Sequence, residues 1–182
     1  MIRIIDFVGA FLGLLFGFPL LVIIYIVGVF DTGSPVFSQI RVGKNKQPFT
    51  LYKFRTMNVT AESVGTHEID RSSITRIGSF LRKTKLDELP QFINVLKGEM
   101  SLVGPRPGLF NQIDLIKARD ARAIYNVRPG ITGLSQINTI DMSMPELLAE
   151  WDERMIKTLT LKKYFYYIFA TMCGHGTGDR FR

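Results

Sequence analysis

The sequence predicts an α-rich α+β fold attached to a membrane, and three patterns predict it. Residues 4–30 form an apolar run with one charge, Asp6, longer than the ~20 residues a bilayer-spanning helix needs. Two stretches of partial strand-like alternation follow, V-F-S-Q-I-R-V and F-T-L-Y-K-F-R-T-M, and the turn signal Gly43–Lys46 between them makes a small β-hairpin. From Ile74 onward apolar residues recur mostly at helical spacing. The 182 residues divide into a membrane segment, 1–30, and one membrane-associated body, 31–182, long enough for a sizeable core.

Charge and composition narrow the partners. Lys and Arg number 23 against 16 Asp and Glu, a net charge of +7, which favours nucleic acid, anionic lipid or a phosphorylated substrate. Nucleic acid is the poorest of these, because the chain is also 46% hydrophobic and begins with a long apolar segment. The single cysteine, Cys173, excludes a disulfide within the chain, and one Cys with two His gives no zinc-ligand spacing.

The apolar segment is too long for the core of a signal peptide, and no small-residue cleavage site follows it. Its length favours a span over a dip and return. Pro19, near the middle, removes a backbone hydrogen bond and kinks a helix. Asp6 is expected at the membrane interface. Arg41, Lys44 and Lys46 follow the segment and mark that side as cytoplasmic. In the second strand Tyr52 and Phe54 face one way, Lys53 and Arg55 the other. That basic strip reads as a solvated edge or as a surface for phosphates or lipid headgroups. Asn58 to Arg71 reads as a polar loop with His67 at the surface. Ser72 or Ser73 then caps a helix running to about Lys83, with Ile74, Ile77, Phe80 and Leu81 as its apolar stripe.

The chemistry concentrates in Leu86 to Pro107, L-D-E-L-P-Q-F-I-N-V-L-K-G-E-M-S-L-V-G-P-R-P. Leu89, Phe92, Ile93 and Leu96 mark the buried face of a short helix. Pro90 fits its first turn and Gly98 its end. Asp87 then falls at or near the N-cap with Glu88 just inside, an arrangement that ordinary capping also explains. What argues for more is the company. Arg82, Lys83 and Lys85 precede the pair, and Arg106 follows between two prolines that bias it to an extended backbone. Leu109 to Tyr125 reads as another helix. Arg128 in V-R-P-G is again an arginine before proline, and an arginine held in advance binds phosphate at lower ordering cost. Pro145 opens a helix to Thr158. Thr160 to Cys173, aromatic with Lys162 and Lys163, is either an interfacial amphipathic helix or a buried C-terminal one.

These pieces resemble the monotopic phosphoglycosyl transferases, small bacterial enzymes that begin glycan assembly on a polyprenol phosphate. The resemblance rests on the apolar N-terminus, S-P-V-F-S-Q-I-R-V-G, Y-K-F-R-T-M, the Leu86–Pro107 stretch and V-R-P-G-I-T-G, in family order over nearly the whole chain. It implies transfer of a phosphosugar from a UDP-sugar, of the N-acetylhexosamine or amino- or 6-deoxy-modified type, to undecaprenyl phosphate with release of UMP. By it Asp87 is the nucleophile, forming an acyl-phosphate, and Glu88, with Asp87, holds Mg²⁺. Arg82, Arg106 and Arg128 match positions near the phosphates and nucleotide, and Lys53 and Arg55 join them as the basic strip. It also implies a re-entrant rather than spanning N-terminal helix, a cytoplasmic helical domain with interfacial amphipathic helices, and the cytoplasmic face of the bacterial inner membrane. Two departures stand out: Phe18-Pro19 replaces the family's Ser-Pro, and T-I-D-M-S-M after Asn138 is not its usual continuation, which leaves the sugar open. Direct transfer in a ternary complex, with Asp87 as base, and a non-catalytic basic membrane adaptor are the alternatives. A homo-oligomer or a downstream glycosyltransferase is a further candidate partner.

Overall fold

The computed structural model describes residues 2–61 and 73–176. The expected loop around His67, a cap at Ser72 and the tail after Gly176 lie outside the described residues.

The apolar run forms one helix, α1 (Ile2–Thr32), continuous through Pro19. Arg3, Asp6, Ala10, Ile24 and Gly28 recur at helical spacing on its inward face. Arg3 donates to Leu96 O (3.1 Å) and Met100 O (3.5 Å). Ala10 is sealed into a core with Phe49, Leu51, Val95 and Met100, and Ile24 into a second with Phe54 and Leu81. Glycines let the helix approach: a Cβ on Gly13 would sit 2.7 Å from the Phe92 ring and one on Gly28 2.8 Å from Pro35. The opposite face, including Phe7, Phe11, Phe16, Phe18 and Phe30, is exposed. Asp6 is held inside the protein. It is 2% exposed and accepts from Ser101 Oγ (2.8 Å), Leu102 N (2.8 Å) and Tyr164 OH (2.5 Å). A carboxylate among apolar neighbours needs such donors, and the body supplies them.

The hairpin pairs β1 (Val36–Val42) antiparallel with β2 (Pro48–Phe54), joined through a 3₁₀ turn at Lys44–Lys46. After the undescribed stretch comes α2 (Arg76–Thr84), whose cap is Thr75 rather than Ser73; its Oγ1 accepts from Gly78 N at 2.8 Å. A 3₁₀ turn, Leu86–Glu88, leads to α3 (Gln91–Lys97), which ends at Gly98 in the left-handed region (φ 85°) as expected. The next strand, β3 (Ser101–Val103), pairs in parallel with β4 (Gly130–Thr132). The helix expected over Leu109–Tyr125 shrinks to α4 (Ile113–Asp120), because Ala123 turns left-handed (φ 55°) and a 3₁₀ turn follows at Ile124–Asn126. The short α5 (Leu134–Ile137) was not foreseen; α6 (Pro145–Thr158) was, with Pro145 at its start. The last helix is α7 (Leu161–Met172), capped by Thr160. The buried reading holds for one face, where Tyr164, Tyr167 and Ala170 are core, while Phe165, Tyr166, Phe169 and Met172 on the other face are exposed.

Candidate active site

Both carboxylates sit in the Leu86–Glu88 turn. Lys85 enters the left-handed region (φ 56°) and its N–H closes α2 on Arg82 O and Leu81 O, so the chain swings away before Asp87. The expected N-cap role is therefore corrected. Pro90 occupies the position before α3 and no side chain caps that helix. Asp87 lies a turn earlier, where tight backbone bonds such as Leu89 N to Leu86 O (3.3 Å) hold it. It is 7% exposed, a depth that capping does not require.

Beside the turn opens a small cleft lined by Arg41, Lys53, Glu88, Gln91, Arg106 and Gly130. Arg106 Nη1 is 3.2 Å from Glu88 Oε1. Burial pushes the Asp87 carboxyl up to about 7; Glu88 adds to this, while Lys53, Arg82 and Arg106 oppose it. Burial likewise pushes the Lys53 ammonium down to about 8, against the pull of Asp87 and with the help of Arg82, Arg41 and Arg106. Arg41 is lowered to about 10 by burial and by Arg106, with Glu88 opposing. Four basic side chains thus act on two carboxylates within one partly dry region, an excess that a bound anion would offset.

Arg106 is fixed through its backbone. Pro105 and Pro107 bring no N–H, so this loop's carbonyls must find donors elsewhere. They find them on three elements: Pro105 O accepts from Gly130 N of β4 (2.9 Å), Arg106 O from Arg119 Nη1 of α4 (2.8 Å), Pro107 O from Arg41 Nη1 of β1 (3.2 Å) and Gly108 O from Val42 N of β1 (3.0 Å).

Of the residues singled out in the sequence, Asp87, Glu88, Lys53, Arg82 and Arg106 come together. Arg82 donates its Nε–H to Thr56 Oγ1 (2.7 Å) and directs its charge toward Asp87. Asp87 and Arg82 act on the cleft residues through charge without lining it, and Arg55 and Arg128 stand apart from it. Arg55 Nε bonds Ser34 O (2.9 Å), and its guanidinium lies 5.4 Å from the Phe37 ring centre. Arg128 Nε bonds Gly98 O (2.7 Å) at the end of α3. Two lining residues had been passed over. Arg41 read as a flanking positive charge, although strand alternation was available to orient it. Gln91 is one helical turn from Glu88, a spacing that could have flagged it.

A metal ion must fit the donors present. Among the described residues no group of three or more His, Cys, Asp or Glu converges. Asp87 and Glu88 offer oxygen ligands only, which suits a hard cation that completes its shell with water.

The family model described as bacterial sugar transferase matches residues 1–176. The chain is 41% identical over 161 residues to the uncharacterized sugar transferase EpsL of Bacillus subtilis, covering 82% of this chain and 79% of that one. It is 41% identical over 164 residues to the UDP-glucose:undecaprenyl-phosphate glucose-1-phosphate transferase of Klebsiella pneumoniae, covering 84% of this chain and 35% of that one. It is 36% identical over 171 residues to the UDP-N-acetylgalactosamine-undecaprenyl-phosphate N-acetylgalactosaminephosphotransferase of Aeromonas hydrophila, covering 91% of this chain and 38% of that one. The chain therefore spans well under half the length of the last two proteins.

Proposed function

This chain belongs to the bacterial sugar transferase family, and on that footing we propose that it moves a sugar phosphate from a UDP-sugar to undecaprenyl phosphate. The observation that carries the reading is the pair of buried Asp87 and partly exposed Glu88 set against Arg41, Lys53, Arg82 and Arg106. The donors named for the Klebsiella pneumoniae and Aeromonas hydrophila relatives agree with it.

In the proposed reaction a carboxylate oxygen of Asp87 attacks the sugar-bearing phosphorus. The bond from that phosphorus to the bridging oxygen breaks, and UMP departs with the electron pair. Undecaprenyl phosphate then attacks the same phosphorus, the Asp87 carboxylate leaves, and the enzyme is restored. Arg106 and Lys53 neutralise phosphate oxygens as charge shifts to the leaving group, with Arg82 close behind. Arg128 and Arg55, held on backbone carbonyls, join as nucleotide-side contacts. Asp87 and Glu88 would hold Mg²⁺, which when bound supplies Lewis-acid neutralisation of the diphosphate. The donor is of the N-acetylhexosamine or amino- or 6-deoxy-modified type.

The membrane part of the reading is that α1 is re-entrant, with both ends on the cytoplasmic face of the inner membrane. Its support is that the two ends of α1 bond one body, Arg3 to Leu96 O and Asp31 to Thr75 Oγ1. The exposed face of α7 would rest at the headgroups. A nucleophile held at that depth meets a lipid phosphate that cannot leave the bilayer.

The decisive experiment incubates the purified protein with UDP-sugars labelled in the sugar-bearing phosphate, glucose and N-acetylgalactosamine donors included. Label on the protein, UMP release without acceptor, and loss of both in Asp87→Asn are expected. Full activity without label on the protein would favour direct transfer; undiminished Asp87→Asn activity would remove this aspartate from the chemistry altogether.

A further inference from the structure

The buried ion pair of Arg119 and Asp152 lies outside the cleft. Arg119 is 2% exposed and Asp152 fully buried. Arg119 places Nε (3.0 Å) and Nη2 (2.6 Å) on one oxygen, Asp152 Oδ2, while Ser135 Oγ donates to Oδ1 (3.0 Å). A buried pair of this kind is weak evidence for stability, because desolvating two charges costs about as much as their attraction returns. Its remaining donor is more informative. Arg119 Nη1 reaches the backbone oxygen of Arg106 itself (2.8 Å). Beside it Gln136 Nε2 donates to Gly104 O (3.2 Å), and Gln136 Oε1 lies 2.9 Å from Ser135 Oγ, whose one proton is shared between it and Asp152 Oδ1. One polar chain therefore runs from α6 through α4 and α5 to the loop that presents Arg106.

We propose that Arg119, oriented by Asp152, is a positioning residue that sets the Arg106 guanidinium for the transfer, a role that rests on the function proposed above. The fork of Arg119 is planar. With two N–H groups on one carboxylate oxygen, the third can point in only one direction. Asp152 thus aims the donor that fixes the peptide of Arg106, and the flanking prolines let little of that constraint relax. A cation displaced by about 1 Å from a transferring phosphoryl group costs on the order of 100-fold in rate.

The test is a cycle of variants assayed for UMP release and phosphosugar labelling. Arg119→Lys keeps a charge on Asp152 but loses the fork. The double variant Arg119→Met with Asp152→Leu replaces the pair by apolar side chains and guards against an unfolded single variant. Both are expected to keep a cooperative melting transition and to lose roughly 10- to 100-fold in kcat with little change in KM. In an Arg106→Ala background the same changes are expected to cost less than about 2-fold, because Arg119 acts through Arg106. Equal losses in both backgrounds, or a folded double variant of undiminished kcat, would overturn the proposal. Failure of the wild-type protein to release UMP from any donor would instead overturn the transferase reading.

Discussion

Asp87 is buried beside a second carboxylate, so ionising it in the fold costs more than in water. Its pKa of about 7 lies above the ordinary 3.8. The stability linked to it is full below the ordinary value and is lost as pH rises through about 7. Asp87→Asn should therefore remove activity yet raise the melting temperature at pH 8, by roughly 2–4 °C. An equal or lower melting point would show that the burial cost is met elsewhere. In the proposed reaction Asp87 must be ionised to attack, so labelling of the protein without acceptor should rise with pH about a midpoint above the ordinary carboxylate range. Glu88→Gln removes the largest charge that raises Asp87, and its midpoint should fall; an unmoved midpoint would contradict that coupling. The carboxylates and Arg106 were legible because their chemistry lies in one continuous stretch with unusual prolines. Arg41 was not. Its role depends on Pro107 O, contacted at 3.2 Å across 66 residues, and no local pattern encodes that contact. The burial of Asp6 was hidden for the same reason, its donors lying on β3 and α7.

The elements nearest the site are short, and their closeness depends on glycine. Gly130 of β4 pairs with Ser101 of β3, and Gly104, just past β3, packs against it so closely that a Cβ on Gly130 would lie 2.0 Å from Gly104 N. No rotation relieves a clash with backbone. Gly130→Ala should therefore part the strands, weaken the Gly130 N to Pro105 O bond and lower stability by about 3 kcal/mol or more. Thermal melting with phosphosugar labelling checks this, and a near-neutral variant would mean that β3 and β4 can separate without harm. Sequence periodicity located the hairpin, α3 and α6 well, since each is flagged by a turn, proline or glycine. It gave no strand at Gly130–Thr132, because a three-residue parallel strand has no period to detect and Pro129-Gly130 signals a turn. It also extended α4 past Asp120, where the left-handed Ala123 ends the helical course without a glycine to announce it.

At the scale of the molecule the decisive feature is how α1 meets the body. Thirty-one residues of helix reach about 46 Å, more than the ~30 Å of a hydrocarbon core. Crossing is thus permitted by length, and length alone had favoured it. The contacts argue otherwise. If the N-terminal end emerged on the far side, Arg3 would lose Leu96 O and Met100 O, and Asp6 would be drawn through lipid without Ser101, Leu102 and Tyr164. A carboxylate stripped of three donors in hydrocarbon costs several kcal/mol. The outward phenylalanines, with Phe16 78% and Phe30 86% exposed, need an apolar cover of their own. A helix that enters one leaflet and returns meets both demands. In a Cys173→Ser background, Ile2→Cys and Val36→Cys should both react with an impermeant maleimide in inverted membrane vesicles, and neither in right-side-out ones. Phe16→Cys should be protected in both. Labelling of Ile2→Cys from the outer face would establish a span, and labelling of Phe16→Cys in inverted vesicles would place the helix outside the bilayer. That second result would leave Asp87 without the bilayer surface on which a lipid phosphate could reach it.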